Sequence, residues 1–247
     1  MNRTLLSVAA IATCAGAFEA SAVPYNYVDW TSANPQGGTA SGVITLPDAS
    51  TVNVNFNVFT ATGAPGSFFF GQTNGGTNYW NPSTPYISAE VDNAPPDPDI
   101  LALIGGVNHT YVVSLSEPIK DPIMAIVSLG RGGSNTSYVF DRPFDIVSEG
   151  AGFWGGNDTT ALEELPGNVL LGNEGHGTIQ FLGTFDTFAW TVPTGENWHG
   201  FTYGIRTTLA IEPDPDPDAV PEPATLGLVG AALAGICGVR RRRRARG

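Results

Sequence analysis

Cysteine, basic charge and helix-forming runs are what this 247-residue sequence has least of. Its two cysteines, Cys14 and Cys237, stand in the two end segments, so no disulfide can staple the stretch between them. About 195 residues lie between those ends, enough for one domain to build its own core. Between Val23 and Asp218 there are 21 acidic residues against four basic ones (Lys120, Arg131, Arg142, Arg206), a net of −17. Such a surface disfavours nucleic acid and anionic lipid, because phosphate binding needs cationic neutralisation. Cations, calcium among them, and neutral glycans are the easier partners. Histidine is also sparse: His109, His176 and His199 show no i, i+4 pairing, which excludes a helical zinc site and leaves them as single turn or surface histidines. No Gly-x-Ser-x-Gly elbow and no cysteine in the body offer a nucleophile. Gly130-Arg131-Gly132-Gly133 lacks the lysine of a phosphate loop and reads as a hairpin turn.

What the chain does have is Gly 31 and Pro 19, about 20% of the residues, as expected for many short strands joined by tight turns. The clearest strand is 52–58, where Val52, Val54, Phe56 and Val58 alternate with Asn53, Asn55 and Asn57. That period of two puts the apolar side chains on a core face and the asparagines outward. Further strands are predicted over 42–46, 100–104, 111–115, 123–129, 138–140, 144–147, 178–181, 185–192 and 201–206, with Trp190 as a core residue. Thr160–Leu165 is the one helical signal of the body. Residues 63–98 read as a long loop, a kind of connection that is often functional. No helices separate the strands, so a parallel α/β fold is excluded. The expectation is an all-β fold: an antiparallel β-sandwich over residues 23–211, of the jelly-roll type.

Both ends read as targeting segments. Residues 1–22 have the pattern of a signal peptide for the Sec translocon: Arg3, an apolar stretch from Leu5 to Phe18, and Ala20-Ser21-Ala22 before the cut. Residues 212–219 hold Glu212-Pro213-Asp214-Pro215-Asp216-Pro217-Asp218, an extended spacer of prolines and mutually repelling carboxylates. Residues 220–247 then give Pro221-Glu222-Pro223, an uncharged apolar run from Ala224 to Val239, and the arginines Arg240, Arg241, Arg242, Arg243 and Arg244. Sixteen helical residues reach only about 24 Å, so this single transmembrane helix spans with the help of snorkelling arginines. The arginine cluster holds its end in the cytoplasm, and the body faces outward.

This tripartite tail resembles the PEP-CTERM sorting signal. The resemblance implies that a membrane transpeptidase of the exosortase type recognises Pro221, Glu222 and Pro223 and processes the chain there. It also implies an exported protein, transiently anchored in the inner membrane and then delivered to the cell surface or extracellular matrix of an exopolysaccharide-making cell. Tyr111–Ile119, Ser128-Leu129-Gly130, Glu174–Phe181 and Trp198–Thr202 are similar to the uncharacterised exported sandwich domains that precede such signals.

Three sets of residues carry candidate chemistry. Glu90-Val91-Asp92, if on a strand, would present two carboxylates to one face, and it resembles the Glu-x-Asp-x-(x)-Glu pattern of jelly-roll glycosidases. Ala94 and Pro95 stand where the third carboxylate belongs, so these acids read as solvated. Tyr79, Trp80 and Trp154 lie in loops flanked by glycine or proline, where an exposed ring could stack on a sugar. Asp92, Asp97 and Asp99, with Asn93 and with Asn157-Asp158 further on, are hard oxygen donors. No cofactor is expected; these donors leave room for a structural calcium, but no EF-hand spacing is present and acidic solubility accounts for them equally. The reading is a non-enzymatic exported surface or matrix protein associated with exopolysaccharide or binding glycan; the alternative is a glycan-active hydrolase or lyase on the same scaffold.

Overall fold

The structure, a computed structural model, describes residues 24–156 and 160–206, all within one compact unit. The leader, the spacer and the tail lie outside the described residues, as do Asn157 and Asp158. Among the described residues no helix is long and apolar enough to cross a membrane.

The described residues run through fifteen strands: β1 (Asn26–Tyr27), β2 (Asp29–Asn34), β3 (Thr39–Thr45), β4 (Thr51–Thr60), β5 (Phe70–Gln72), β6 (Ile100–Leu103), β7 (His109–Lys120) and β8 (Ile123–Leu129), then β9 (Ser137–Phe140), β10 (Phe144–Glu149), β11 (Leu162–Leu165), β12 (Val169–Gly172), β13 (Gly175–Phe181), β14 (Thr184–Thr191) and β15 (His199–Ile205). Pairing is antiparallel throughout. One sheet has the order β10-β13-β8-β15-β6-β5, with β1 also on β15, and the other β11-β12-β9-β14-β7-β4-β3-β2. From β6 onward the pairs are nested, β6 with β15, β7 with β14, β8 with β13 and β9 with β12, so the chain passes back and forth between the sheets.

The alternation at 52–58 folds as the pattern requires: Val52, Val54, Phe56 and Val58 are buried, while Asn53 and Asn55 face solvent. Their partners come from the opposite sheet. Phe56 packs on Phe201, Trp190 on Phe201 and Phe140 on Phe181, with ring centroids 5.5, 5.1 and 5.0 Å apart, so the two sheets enclose one core as a β-sandwich.

The middle of the β10-to-β5 sheet is dry on both sides. β8 and β15 are buried at every position. On their outer face, the long 63–98 connection lays Trp80 and Tyr86 over Ile100, Ala125 and Val127, and Val91 over Ile123 and Tyr25. A continuous apolar run such as IMAIVSL is what a strand covered on both faces needs.

Residues 160–165 correct the helix expectation. Leu162–Leu165 is a strand, paired with Val169–Gly172 across a turn in which Gly167 has φ 89 and Asn168 has φ 59. Six residues are too few for a helix to stand alone, whereas Pro166-Gly167-Asn168 closes a hairpin whose backbone bonds are satisfied on β12. The Gly/Ser/Thr-rich opening also forms strands. Ser32 and Ser41 face each other across β2 and β3 with hydroxyls 2.7 Å apart.

Candidate functional site

The neighbouring strands β13, β8 and β15 end at the same side of their sheet, and the residues just beyond them meet in an open cleft of about 360 Å³. Ser128, Arg131, Trp154, Glu174, Glu196, Asn197 and Trp198 line it. Four segments far apart in sequence thus supply one site.

A bulge shapes its floor. The ladder steps from Gly175↔Leu129 to Gly177↔Ile126, two residues of β13 against three of β8, and Ser128 takes φ 57 at the irregularity. Bulges redirect side chains in this way. The Ser128 amide donates to His176 Nδ1 at 3.3 Å, and its hydroxyl donates to Glu174 Oε1. His176 is fully buried. Since its Nδ1 accepts, the neutral ring carries its proton on Nε2, which faces Glu174 Oε1 at 3.6 Å. Tyr86 Oη closes the other side of Nδ1 at 3.3 Å. Burial alone would raise the pKa of Glu174, but His176 and the Ser128 hydroxyl together outweigh it and hold the carboxyl below its ordinary value.

Glu196 is fixed differently. Its Oε1 accepts from the Gly130 amide at 2.8 Å and from His199 Nδ1 at 2.7 Å, and only 3% of its side chain is exposed. Gly130 also accepts, through its carbonyl, from the Glu174 amide at 2.9 Å. One glycine therefore ties both glutamates to the end of β8.

Aromatic rings run from the cleft across the outer face of the sheet. Trp154 lies 6.4 Å from Trp198 and 4.9 Å from Phe153; Tyr79 lies 5.1 Å from Phe153 and 5.0 Å from Trp198; Phe70 lies 5.5 Å from both Trp198 and Phe69. Trp154, at 54%, and Phe69, at 48%, are the most exposed. Phe153 and Trp154 ride on a tight turn closed by Gly152 N to Gly155 O at 2.7 Å and Gly155 N to Gly152 O at 3.0 Å. That turn rests on the buried histidine. A Cβ on Gly152 would stand 2.2 Å from His176 Cγ, so only glycine lets the backbone come so close.

Of the candidate stacking rings, Trp154 is exposed at the cleft and Tyr79 is half-buried in the strip. Trp80 is not available. It is 2% exposed, its indole N–H donates to the Asp99 carbonyl at 3.1 Å, and its ring packs edge-on to Tyr86 at 5.3 Å. Tyr79 and Trp80 stand together in a turn, and of the two Trp80 is the one turned inward.

The Glu90-Asp92 pair is not on a strand. Buried Val91 pins this stretch between two exposed acids, and Glu90 is turned back to accept from the Ser88 hydroxyl at 3.1 Å. Neither acid lines the cleft, whose carboxylates are Glu174 and Glu196.

The oxygen donors 92–99 are also dispersed in role. Asp92 and Asp97 are exposed, Asn93 clamps Tyr25 by accepting from its N–H at 2.8 Å and donating to its carbonyl at 2.9 Å, and buried Asp99 accepts from the Trp30 amide at 2.8 Å. Among the described residues no three His, Cys, Asp or Glu side chains group so as to hold a metal ion. His109 stands on β7 in the other sheet, apart from His176 and His199.

The described chain is thus an all-β sandwich with one aromatic-walled, carboxylate-bearing cleft. Comparison with known proteins identifies the far end: residues 219–244 match the family model of the PEP-CTERM protein-sorting motif. The chain carries a PEP-CTERM protein-sorting motif, which marks an exported protein sorted by an exosortase, a membrane enzyme. No curated protein and no solved structure matches the chain. Pro221, Glu222, Pro223 and Arg240–Arg244 fall within the matched residues and outside the described ones.

Proposed function

We propose that this is a non-enzymatic surface or extracellular-matrix protein that holds polysaccharide through its sandwich domain after the exosortase has processed its tail. The nested strand order reads as a jelly roll, and the Arg240–Arg244 cluster as the cytoplasmic stop that keeps the body outside while it waits. One observation carries the glycan reading: six aromatic rings in edge contact form a strip, with Trp154 most exposed, beside a cleft lined by hydrogen-bonding groups. Ring faces give sugars an apolar platform, and a few fixed polar groups give orientation.

The two glutamates in the cleft favour a hydrolase as the second reading. The chemistry of each argues for binding instead. Glycoside hydrolysis needs a carboxylic acid kept protonated, its pKa raised, whereas Glu174 is held on the ionised side. Glu196 already spends its Oε1 on Gly130 and His199.

The test is retention on immobilised polysaccharide by the wild type and by Trp154→Ala. Loss of retention with an unchanged melting temperature supports the reading, since replacement of an exposed side chain usually costs within about 0.5 kcal/mol. Undiminished retention, or slow release of reducing sugar by the wild type that Glu174→Gln stops, would overturn it.

A further inference from the structure

We propose that the cleft selects an amino sugar with a free, protonated amine, seated on Glu174 between Trp154 and Trp198, while the rest of the glycan follows the aromatic strip. This rests on the glycan-binding reading and gives it a ligand class.

A carboxylate that shares one cleft with two indoles is a cation receptor by elementary electrostatics. The ring quadrupoles attract positive charge at their faces, and the carboxylate adds a charge-assisted hydrogen bond. An ammonium on a pyranose carbon satisfies both while the sugar's C–H face stacks on the same rings. A hydroxyl or an acetamide at that carbon gets the stacking alone.

The groups around Glu174 prepare it for this. Its contacts with Ser128 and with His176 both fall on Oε1, leaving Oε2 without a partner among the described residues. His176 is fully buried, and its Nε2 has no hydrogen-bond partner and faces that carboxylate at 3.6 Å. A donor placed there keeps the negative charge in position without competing for the open oxygen.

Arg131 is the one cation in the lining. It is exposed, on the turn after β8, and also lines a neighbouring polar cleft of about 250 Å³ beside Glu163. Two carboxylates stand against it in the main cleft, in a body whose net charge is −17 over residues 23–218. An anionic sugar would meet that field, whereas a cationic one is drawn in by it.

The experiment is titration calorimetry on the full-length protein in detergent. The probes are glucosamine oligosaccharides, their N-acetylated counterparts of equal length, and an oligouronate. Mildly acidic pH keeps the sugar amine protonated, while the lowered pKa of Glu174 keeps its carboxylate ionised.

The expected result is about tenfold to a hundredfold tighter binding of the free-amine oligomer than of the acetylated one, the range of a hydrogen bond to a charged group. Glu174→Gln should erase that preference, bringing the free-amine oligomer down to the affinity of the acetylated one, and Trp154→Ala should weaken both. Added salt should shrink the preference in the wild type, which tests the charge without any variant. Equal binding of the amine and acetamide forms overturns the amine inference and leaves glycan binding standing. Preference for the oligouronate overturns the assignment of charge, and binding of none of the probes overturns both readings.

Discussion

Replacing Asp99 by asparagine should make this domain more stable at neutral pH. Asp99 is 6% exposed, its Oδ2 accepts from the Trp30 amide at 2.8 Å, and the Asp29 and Asp97 carboxyls lie near enough to repel its charge. Burial, with that repulsion added, outweighs the Trp30 bond and pushes its pKa from 3.8 up to about 6. The folded state therefore keeps a proton that the unfolded chain has already released. Stability from this group is fully present below about pH 4 and is lost as pH rises through about 6, in total about 2–3 kcal/mol. Asparagine retains an oxygen for the Trp30 amide and carries no charge to desolvate. Urea unfolding followed by tryptophan fluorescence from about pH 4 to about pH 8 measures the difference between the two proteins, so that acids common to both cancel. Asp99→Asn should gain about 2 kcal/mol at neutral pH, or roughly 4–8 °C in melting temperature, and no advantage near pH 4. A variant that tracks the wild type across the whole range would refute the argument that burial sets the charge state here.

Trp80→Ala should cost about 3–5 kcal/mol and lower the melting temperature sharply, because it empties a buried site and strands the Asp99 carbonyl; a change as small as that expected of Trp154→Ala would put the Trp80 ring outside the core. Replacing Pro221, Glu222 and Pro223 together by alanine should leave the unprocessed, membrane-held form accumulating in cell fractionation. Normal release of that variant would sink the role given to the sorting motif.

Local chemistry in the sequence carried far on the strands and less far on the site. Val52 to Val58 could be read because alternation is a property of neighbours along the chain. The strand Leu162–Leu165 could not, since what makes it a strand is the edge offered by Val169–Gly172, a partner that periodicity does not show. Trp154 and Tyr79 announced themselves through flanking glycine and proline, but Trp80, one residue from Tyr79, turns inward because an apolar surface on Ile100, Ala125 and Val127 awaits it. Ser128, Glu174 and Glu196 were missed for a geometric reason. They are brought together by register, β13 on β8 and β8 on β15, between positions up to 68 residues apart. The signal that could have found them is the pair of short segments Glu174-Gly175-His176-Gly177 and Trp198-His199-Gly200, in which histidine is flanked by small or aromatic residues within otherwise apolar strands.

The place of β15 bears on timing. It is the last strand of the described residues, yet it lies inside its sheet, between β8 and β6, and also carries β1 from the beginning of the domain. Until residues 199–205 have been delivered, β6 and β8 have no neighbour on that side and the aromatic strip lacks Trp198. The matched sorting motif begins at residue 219, only 14 residues after β15 ends at Ile205. Long-range pairing of this kind is slow compared with local structure. The strand that completes the sheet and the motif that the exosortase reads thus lie side by side in the sequence, so folding of the domain is finished by almost the last residues before the sorting motif.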